Sequence, residues 1–235
     1  MEAAPATRLE AGVQAGVQAG VEAGARDREP LQVIANRFRP VTLATDQVIP
    51  VLGPLGEALP DQGLRRGTVI TIEGEPGAGS TTLTLDLIAA VTATGGWAVV
   101  VQLEDQARHL LGSIPAPAAV EAGVVLDRVA VVRGVSRDRW AVVVAALVEG
   151  VGLVITDLPP RVRPADARRI AARARDRGSI LVARGSAWPE RVAVRLRSEG
   201  GAWRIAGGRL VGRELSVEVE GRGAAPRRIC LGRAA

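Results

Sequence analysis

Hydrophobic residues in this chain fall into short continuous runs separated by longer, mixed stretches. The runs predict strands at residues 68–72, 97–103, 128–132, 151–156 and 180–183. Helices are predicted between them at 80–91, at 136–149 with Ser136 as the cap, and at 164–178. Apolar runs without polar alternation suit a parallel sheet that is covered on both faces. The pattern therefore predicts an α/β doubly wound domain that binds ligands at the carboxyl ends of its strands.

The pattern changes after residue 183, where apolar and polar positions begin to alternate. Val192, Val194 and Leu196 alternate with arginines, as in a half-buried strand with one basic face. A second alternating run covers 215–220, and paired glycines at 200–201 and 207–208 supply turns. We expect residues 186–235 to form antiparallel strands that extend the sheet. The basic face, which is a candidate surface for nucleic acid or a protein partner, carries Arg191, Arg195 and Arg197.

The first part of the chain has low complexity. Residues 11–25 contain an imperfect four-residue repeat in which every fourth residue is glycine. Each glycine weakens a helix by about 1 kcal/mol relative to alanine, so residues 1–29 are predicted to be a disordered tail. The alternative is a helix that docks on a neighbouring subunit. Residues 30–235 are expected to form one domain with an irregular lead-in over 31–60 and a core over about 64–185.

Composition and charge add a candidate class of partner. The chain of 235 residues has no lysine, so all 30 basic residues are arginine, and the net charge is +5. Residues 1–160 carry a net −6 and residues 161–235 a net +11. This asymmetry indicates DNA or an acidic protein partner. Trp188 or Trp203 could stack on an unpaired base, although core packing is favoured for both. An arginine-biased coding preference with an ordinary solvated surface is the alternative.

Several classes of protein are disfavoured by the sequence. Cys230 is the only cysteine, which excludes an internal disulfide and a cysteine-based metal cluster, and His109 is the only histidine. No apolar run reaches membrane-spanning length, and the N-terminus lacks the apolar core of a signal peptide. We expect a cytoplasmic protein without a membrane segment.

A glycine-rich loop follows the first predicted strand of the core. It reads Gly74-Glu75-Pro76-Gly77-Ala78-Gly79-Ser80-Thr81 and continues into Thr82 and an apolar helix. This fits the phosphate-loop pattern G-x-x-x-x-G-K-[ST] at every fixed position except the lysine, where Ser80 stands. Backbone N–H groups and a helix N-terminus remain for phosphate binding, without the charge-assisted contact of the lysine. The loop predicts weak ATP binding and doubtful hydrolysis. A strand-to-helix turn that binds nothing is the alternative.

Three side chains are candidates for chemistry at the same edge of the sheet. Thr81 can bind Mg²⁺ through its hydroxyl, and Asp157 ends an apolar strand from which it can hold the same ion. Glu104 ends the second strand and could orient an attacking water. Each also has a structural interpretation: Asp157 as a turn residue before two prolines, and Glu104 as one of several polar residues at a strand end.

The arrangement resembles the RecA superfamily. The resemblance covers residues 45–185 and is carried by 63–67, by Ile70, Ile72 and Gly74, and by 80–85. It implies a RecA-like phosphate-loop NTPase fold, with Glu104 as the residue that activates water and Asp157 as the Walker B aspartate. The chain departs from an active recombinase at Ser80, at Arg184 near the position of a γ-phosphate-sensing glutamine, and in two short segments, 158–163 and 185–190, where DNA would bind.

The short length, the degenerate loop and a tail over 203–213 are similar to actinobacterial ImuA-type proteins, RecA-like accessory factors of mutagenic replication. That resemblance implies partners among translesion polymerases, namely an ImuB-like Y-family homologue and an error-prone replicative-type polymerase. It also leaves room for DNA backbone contacts, oligomerisation and association with the nucleoid. The expected function is an accessory protein in DNA damage tolerance. The alternatives are a DNA-dependent ATPase and a nucleotide-binding regulatory module unrelated to DNA.

Overall fold

The computed structural model describes residues 47–104, 116–223 and 225–234, and its main feature is a nine-stranded sheet. Residues Thr42–Ala235 form one compact unit. The predicted tail and its boundary at residue 29 lie outside the described residues. The strands of the large sheet are β3 (Val69–Glu73), β4 (Ala98–Leu103), β5 (Val129–Val135), β6 (Leu153–Asp157), β7 (Ile180–Arg184), β8 (Val194–Gly200), β9 (Trp203–Ala206), β10 (Arg209–Gly221) and β11 (Arg227–Ala234).

The strand order is β11-β10-β8-β3-β7-β6-β4-β5, with β9 paired to β10. Strands β3 to β8 run parallel to one another, whereas β10 is antiparallel to β8, β9 and β11. Residues 186–235 were predicted to form antiparallel strands that extend the sheet. This is confirmed for β9, β10 and β11, whereas β8 is antiparallel to β10 but parallel to its other neighbour, β3. A connection over 185–193 returns the chain so that β8 adds to β3 in the parallel direction. Carboxyl ends of six parallel strands therefore share one edge.

Helices cover both faces of the sheet. Their bounds are α1 (Gly53–Ala58), α2 (Ser80–Ala93), α3 (Ala116–Glu121), α4 (Arg137–Gly150) and α5 (Pro164–Arg177). One core cluster packs α1, α2 and α3 against the face that contains Ile70, Ile72 and Val100. The other packs α4 and α5 against Val99 and Val101. The buried runs of the central strands thus face helices on both sides, as the unbroken apolar pattern predicted.

The segment before β3 is more regular than expected. Residues 31–60 were predicted to be irregular, but β1 (Val48–Pro50) pairs with β2 (Gly63–Arg65) around α1 and a short 3-10 turn. Ile49, Leu55 and Leu64 are buried in the core of the domain. The prolines at 50, 54 and 60 occupy a strand end and helix starts, where a missing N–H is tolerated. Residues before 47 lie outside the described part.

The C-terminal region contains a hairpin that precedes the last strand, β11. Strand β9 and the first part of β10 pair through a turn at Gly207 and Gly208, both of which have positive φ angles. We call residues 203–213 the hairpin arm. The second part of β10 lies between β8 and β11 inside the large sheet. No helix in the part of the chain that the structure describes is long and apolar enough to cross a membrane.

Candidate functional site

The glycine loop joins the end of β3 to the start of α2 at the carboxyl edge of the sheet. Gly74, Gly77 and Gly79 have φ angles of 156°, 82° and 105°, which side chains rarely adopt. Ala78 donates its backbone N–H to the Glu75 carbonyl at 2.9 Å, closing a tight turn. A Cβ atom added at Gly77 would meet no other atom within 4 Å. The loop therefore turns sharply and leaves open space beside Gly77 at a helix N-terminus, where backbone N–H groups can bind an anion.

The C-terminal strands hold this loop from one side. The Ser198 hydroxyl donates to the Ala78 carbonyl at 2.6 Å in a buried contact. A Cβ atom at Gly74 would lie 2.7 Å from the Ser198 carbonyl oxygen, and one at Gly79 would overlap a methyl group of Leu215. Both glycines are therefore needed for the close approach of β8 and β10. The loop conformation depends on residues more than a hundred positions further along the chain.

Arg213, on the hairpin arm, also reaches the loop. Its guanidinium Nη2 donates to the Gly77 carbonyl at 2.6 Å. The same guanidinium lies over the ring of Trp203, 5.1 Å from the centroid. Its Nε is buried and has no hydrogen-bond partner. Sequence reasoning missed this arginine because nothing local connects it with the loop; the resemblance of residues 203–213 to a family tail was the available signal.

Two tryptophans have different environments. Both Trp188 and Trp203 were expected to pack in the core in preference to stacking on a base. Trp188 is buried in the core cluster beneath α4 and α5. Trp203 is half exposed on the hairpin arm, so the expectation for it was wrong. An antiparallel arm that extends beyond the helix layers leaves its residues without a packing partner.

Asp157 lies where the sequence predicted, at the end of β6, but it faces an arginine. Parallel pairing sets Asp157 opposite Arg184 of β7, and Arg184 Nη1 is 3.5 Å from Asp157 Oδ1. Burial raises the pKa of Asp157, and the positive charge of Arg184 partly opposes that rise. Burial likewise lowers the pKa of Arg184, opposed by Asp157. The Nε and Nη1 atoms of Arg184 make no hydrogen bond.

This pair bears on the predicted magnesium site. Thr81 lies in the first turn of α2 and Asp157 two strands away from β3, with β7 between them. A carboxylate binds Mg²⁺ in its ionised form, so Asp157 would have to exchange its Arg184 contact for the metal. Within the described ranges, no group of three or more His, Cys, Asp or Glu residues is placed to hold a metal ion. The roles of Thr81 and Asp157 as magnesium ligands stay a prediction, and the present pairing of Asp157 opposes its role.

Glu104 directly follows β4 at the same edge and is exposed. Strands β7 and β6 separate β4 from β3. Three interstrand spacings correspond to roughly 14 Å across the sheet. At this edge, Arg184 of β7 and Asp157 of β6 therefore lie between the loop strand β3 and Glu104. The role of Glu104 with water stays a prediction.

The predicted basic face lies beside the loop but carries matched charges. Arg195 Nε is 3.0 Å from Glu73 Oε1, and Arg195 Nη1 is 3.0 Å from Glu220 Oε2. Arg197 reaches Glu218 at 3.2 Å and Glu73 at 3.7 Å. We call these five residues the charge ladder. Arg191 precedes β8 and is exposed. Three arginines of α5 are similarly paired with carboxylates: Arg168 with Glu190, Arg169 with Asp166, and Arg173 with Glu149.

The loop offers groups of the kind that can bind an anion. Backbone N–H groups at the start of α2 and the buried Nε of Arg213, which has no hydrogen-bond partner, are donors, and the space beside Gly77 is open. The residues that would hold the accompanying Mg²⁺ fit less well, because the carboxylate of Asp157 faces a guanidinium. The site as built suits an anionic phosphate group better than a metal ion.

Comparison with known proteins places these features in a family. The family model described as MT3502 N-terminal domain matches residues 57–190, more than half of the chain. A protein of Mycobacterium tuberculosis (strain ATCC 25618 / H37Rv), described as uncharacterized protein Rv3395c, is 33% identical over 156 residues, which cover 62% of this chain and 72% of that protein. The segment matched by the family model contains the glycine loop and Asp157 and ends before β8. The chain therefore belongs to the MT3502 N-terminal domain family.

Proposed function

We propose that this protein is a RecA-like phosphate-loop protein that acts as an accessory factor in DNA damage tolerance. It works by binding partners, binds ATP weakly and does not hydrolyse it at an enzymatic rate. The observation that carries the proposal is a loop backbone with the turns of a phosphate loop but without two of the charged groups that hydrolysis needs. Ser80 stands where the lysine would be, and the carboxylate of Asp157 is paired with Arg184.

The loop supports the binding half of the proposal. Positive φ angles at three glycines and a helix that begins at Ser80 leave backbone donors free to contact phosphate oxygens. Loss of one charge-assisted hydrogen bond weakens such a site by about 1.5–3 kcal/mol and leaves the neutral contacts. The expected result is measurable but weak affinity.

The charged groups support the absence of turnover. Transfer of a phosphoryl group requires preorganised positive charge around the γ-phosphate and a metal that bridges the phosphates. The loop brings no lysine, and the aspartate that would hold the metal faces a cation 3.5 Å away. An accessory protein can use ATP binding without ATP hydrolysis.

The role in damage tolerance rests on the resemblance of the loop, the short length and the tail to ImuA-type proteins. Its proposed partners are an ImuB-like polymerase homologue and an error-prone replicative-type polymerase, in the cytoplasm and at the nucleoid. The organism of the matched relative is a mycobacterium, which is compatible with an actinobacterial family of this kind. DNA backbone contacts by arginines of the C-terminal part belong to the same proposal.

Steady-state ATP turnover by the purified full chain, with and without single-stranded DNA, tests the enzymatic part. Turnover far below one per second is expected, because competent enzymes commonly reach about one to a thousand per second. Turnover in that range would contradict the proposal.

Affinity purification of the tagged full chain from DNA-damaged cells tests the accessory part. Recovery of translesion polymerases supports it, and recovery of metabolic or signalling proteins alone contradicts it.

A second candidate, a DNA-dependent ATPase, is favoured by one observation. Arg213 brings a guanidinium to the loop, 2.6 Å from the Gly77 carbonyl, and this cation is of the kind that the lysine would supply. Stimulation of ATP turnover by single-stranded DNA to an enzymatic rate, abolished in Arg213→Gln, would establish this candidate in place of the accessory role.

A further inference from the structure

We propose that Arg213 and Trp203 complete a nucleotide site at the glycine loop, with Arg213 binding the phosphates in place of the missing lysine and Trp203 stacking on the base. The ligand class is a nucleoside di- or triphosphate. This inference rests on the proposed function, because it requires that the loop binds a nucleotide. It adds two residues that lie outside the segment matched by the family model.

The first step concerns charge. With serine at position 80, the loop itself has no cation. Arg213 contacts the loop directly through the Gly77 carbonyl, and within the described residues it forms no ion pair with a carboxylate. By contrast, the buried Arg184 is committed to Asp157. Arg213 is thus the guanidinium that is both near the loop and, among the described residues, free of an acidic partner.

The second step concerns hydrogen-bond donors. A guanidinium has five N–H donors and no acceptor, so it binds phosphate oxygens in a fork. One donor of Arg213 reaches a carbonyl, and its Nε is buried without an acceptor. An unsatisfied buried donor is destabilising, and an oxygen of a bound phosphate would satisfy it. The donor set is therefore incomplete without an anion.

The third step concerns position. Strand β10, whose first part belongs to the arm, is held against the loop by Leu215, which packs at Gly79. The neighbouring strand β8 is held there by Ser198, which donates to Ala78. Arg213 lies two residues before Leu215 on the same strand. The side chain therefore starts from a rigid strand rather than from a loop, so its guanidinium is held ready for the ligand.

The fourth step concerns the base. Cross-strand pairing brings Arg213 beside Trp203, and Leu210 beside Ile205, on neighbouring strands of the arm. Trp203 is 50% exposed although the Arg213 guanidinium lies over its ring, and the two aliphatic residues are also exposed. An aromatic ring of this kind stacks on any base. The guanidinium contacts the loop and lies over the indole, which places the proposed phosphate and base contacts next to each other.

A single-stranded nucleic acid is the competing ligand for an arm that carries arginine and tryptophan. The arm contains Arg204, Arg209 and Arg213 and no acidic residue. A nucleotide is favoured because Arg213 is directed to the loop rather than to the tip of the arm, where Arg209 lies. The test therefore includes an oligonucleotide.

The experiment is isothermal titration of the full chain with ATP and, separately, with inorganic tripolyphosphate, both with Mg²⁺. Arg213→Gln should weaken both ligands by about 10- to 100-fold, the value of one charge-assisted contact. Trp203→Leu should weaken ATP by about tenfold and leave tripolyphosphate unchanged. Arg209→Gln, a matched change on the same arm, should affect neither. Arg213→Lys should retain more affinity than Arg213→Gln, because it keeps the charge.

The outcomes separate this inference from the proposed function. ATP binding by wild-type protein that is unchanged in Arg213→Gln overturns the inference and leaves the proposed function intact. Absence of ATP binding by the wild type at millimolar concentration overturns both the inference and the nucleotide part of the proposal, while recovery of translesion polymerases still tests the accessory role. Binding of oligo-dT that is lost in Trp203→Leu and not displaced by ATP overturns it by assigning the arm to DNA. Equal thermal midpoints verify that each variant is folded.

Discussion

The charge ladder and the hairpin arm both place arginines on neighbouring strands near the glycine loop, yet their arginines are in opposite states. In the ladder, strand register sets Arg195 opposite Glu220 and Arg197 opposite Glu218, with Glu73 contacting both arginines. In the arm, no acidic residue lies within residues 203–213. The density of arginine in a sequence therefore does not measure the charge that is available to a ligand. Cross-strand partners determine that charge.

The same difference is the basis for the proposal that Arg213 supplies positive charge to the loop. Carboxylates that contact the ladder arginines lower their capacity to bind phosphate, because a new anion must displace an existing one. Arg213 has no such competitor in the described residues and is directed to the loop. Two kinds of variant test this comparison most directly: those that change the contacts or charges at the loop, and those that remove the glutamate partners of the ladder arginines.

The largest effect is expected where β10 meets the loop, at Leu215. Gly79→Val should destabilise the fold by about 3 kcal/mol or more, because a Cβ there would overlap a methyl group of Leu215 at a φ of 105°. Urea unfolding measures the loss. Gly77→Val is the matched control: it has a positive φ but open space, so a smaller loss is expected. Equal losses in the two variants would show that contact with Leu215 is unimportant.

The next largest effect is expected from removal of Arg184, the cation of the buried pair. Arg184→Met should cost about 2–4 kcal/mol at neutral pH, because it leaves Asp157 buried without its partner. Burial raises the pKa of Asp157, and removal of Arg184 should raise it further. Because the folded-state pKa of Asp157 lies above its unfolded value, the contribution of this group to the free energy of unfolding is fully present at low pH. That contribution is lost as the pH rises through the folded-state pKa.

The pH dependence of unfolding of Arg184→Met checks this sign. Its loss of stability relative to wild type should shrink when the pH is lowered into the range where Asp157 is protonated. The double variant Arg184→Met with Asp157→Asn, which has no buried charge, serves as the control and should recover part of the lost stability. A deficit that is constant across pH in the single variant would contradict an ionised, arginine-paired Asp157.

Supplying the missing charge of the loop should give a moderate gain. Ser80→Lys is expected to tighten ATP binding by about tenfold or more through a charge-assisted hydrogen bond. In the background of Arg213→Gln the same change should give a larger gain than in wild type, because the two cations serve the same phosphates. Isothermal titration of the four proteins forms a double-mutant cycle. Strict additivity would indicate that Arg213 and the new lysine act at different places.

The smallest effect is expected in the ladder. Glu218→Gln together with Glu220→Gln should release Arg195 and Arg197 partly from exposed ion pairs at a stability change of about 1 kcal/mol or less. If this face contacts DNA, the variant should bind single-stranded DNA more tightly, with a salt slope increased by about one to two. Glu214→Gln, on β10 outside the ladder, is the control. An unchanged salt slope would remove the ladder from the DNA surface.

The strands, the central helices and the position of the glycine loop could be predicted from local sequence. The runs at 68–72 and 151–156 contain no charged residue, a pattern that favours strands buried on both sides. The boundaries shifted by one to three residues, because the ends of helices and strands depend on hydrogen bonds rather than on hydrophobicity. The direction of β8 was not predictable, since an alternating strand has the same pattern in parallel and antiparallel pairing.

The sequence by itself predicted a glycine-rich turn at Gly74–Gly79 between a strand and a helix, without the lysine of the phosphate-loop pattern, and Asp157 at the end of a later strand. Only the tertiary structure decided which charges face these groups. Register between parallel strands set Arg184 against Asp157, and the return of β10 brought Arg213 and Leu215 to the loop from far along the chain. The physical reason is range: turn geometry and burial follow from neighbouring residues, whereas charge pairing depends on strand order and register.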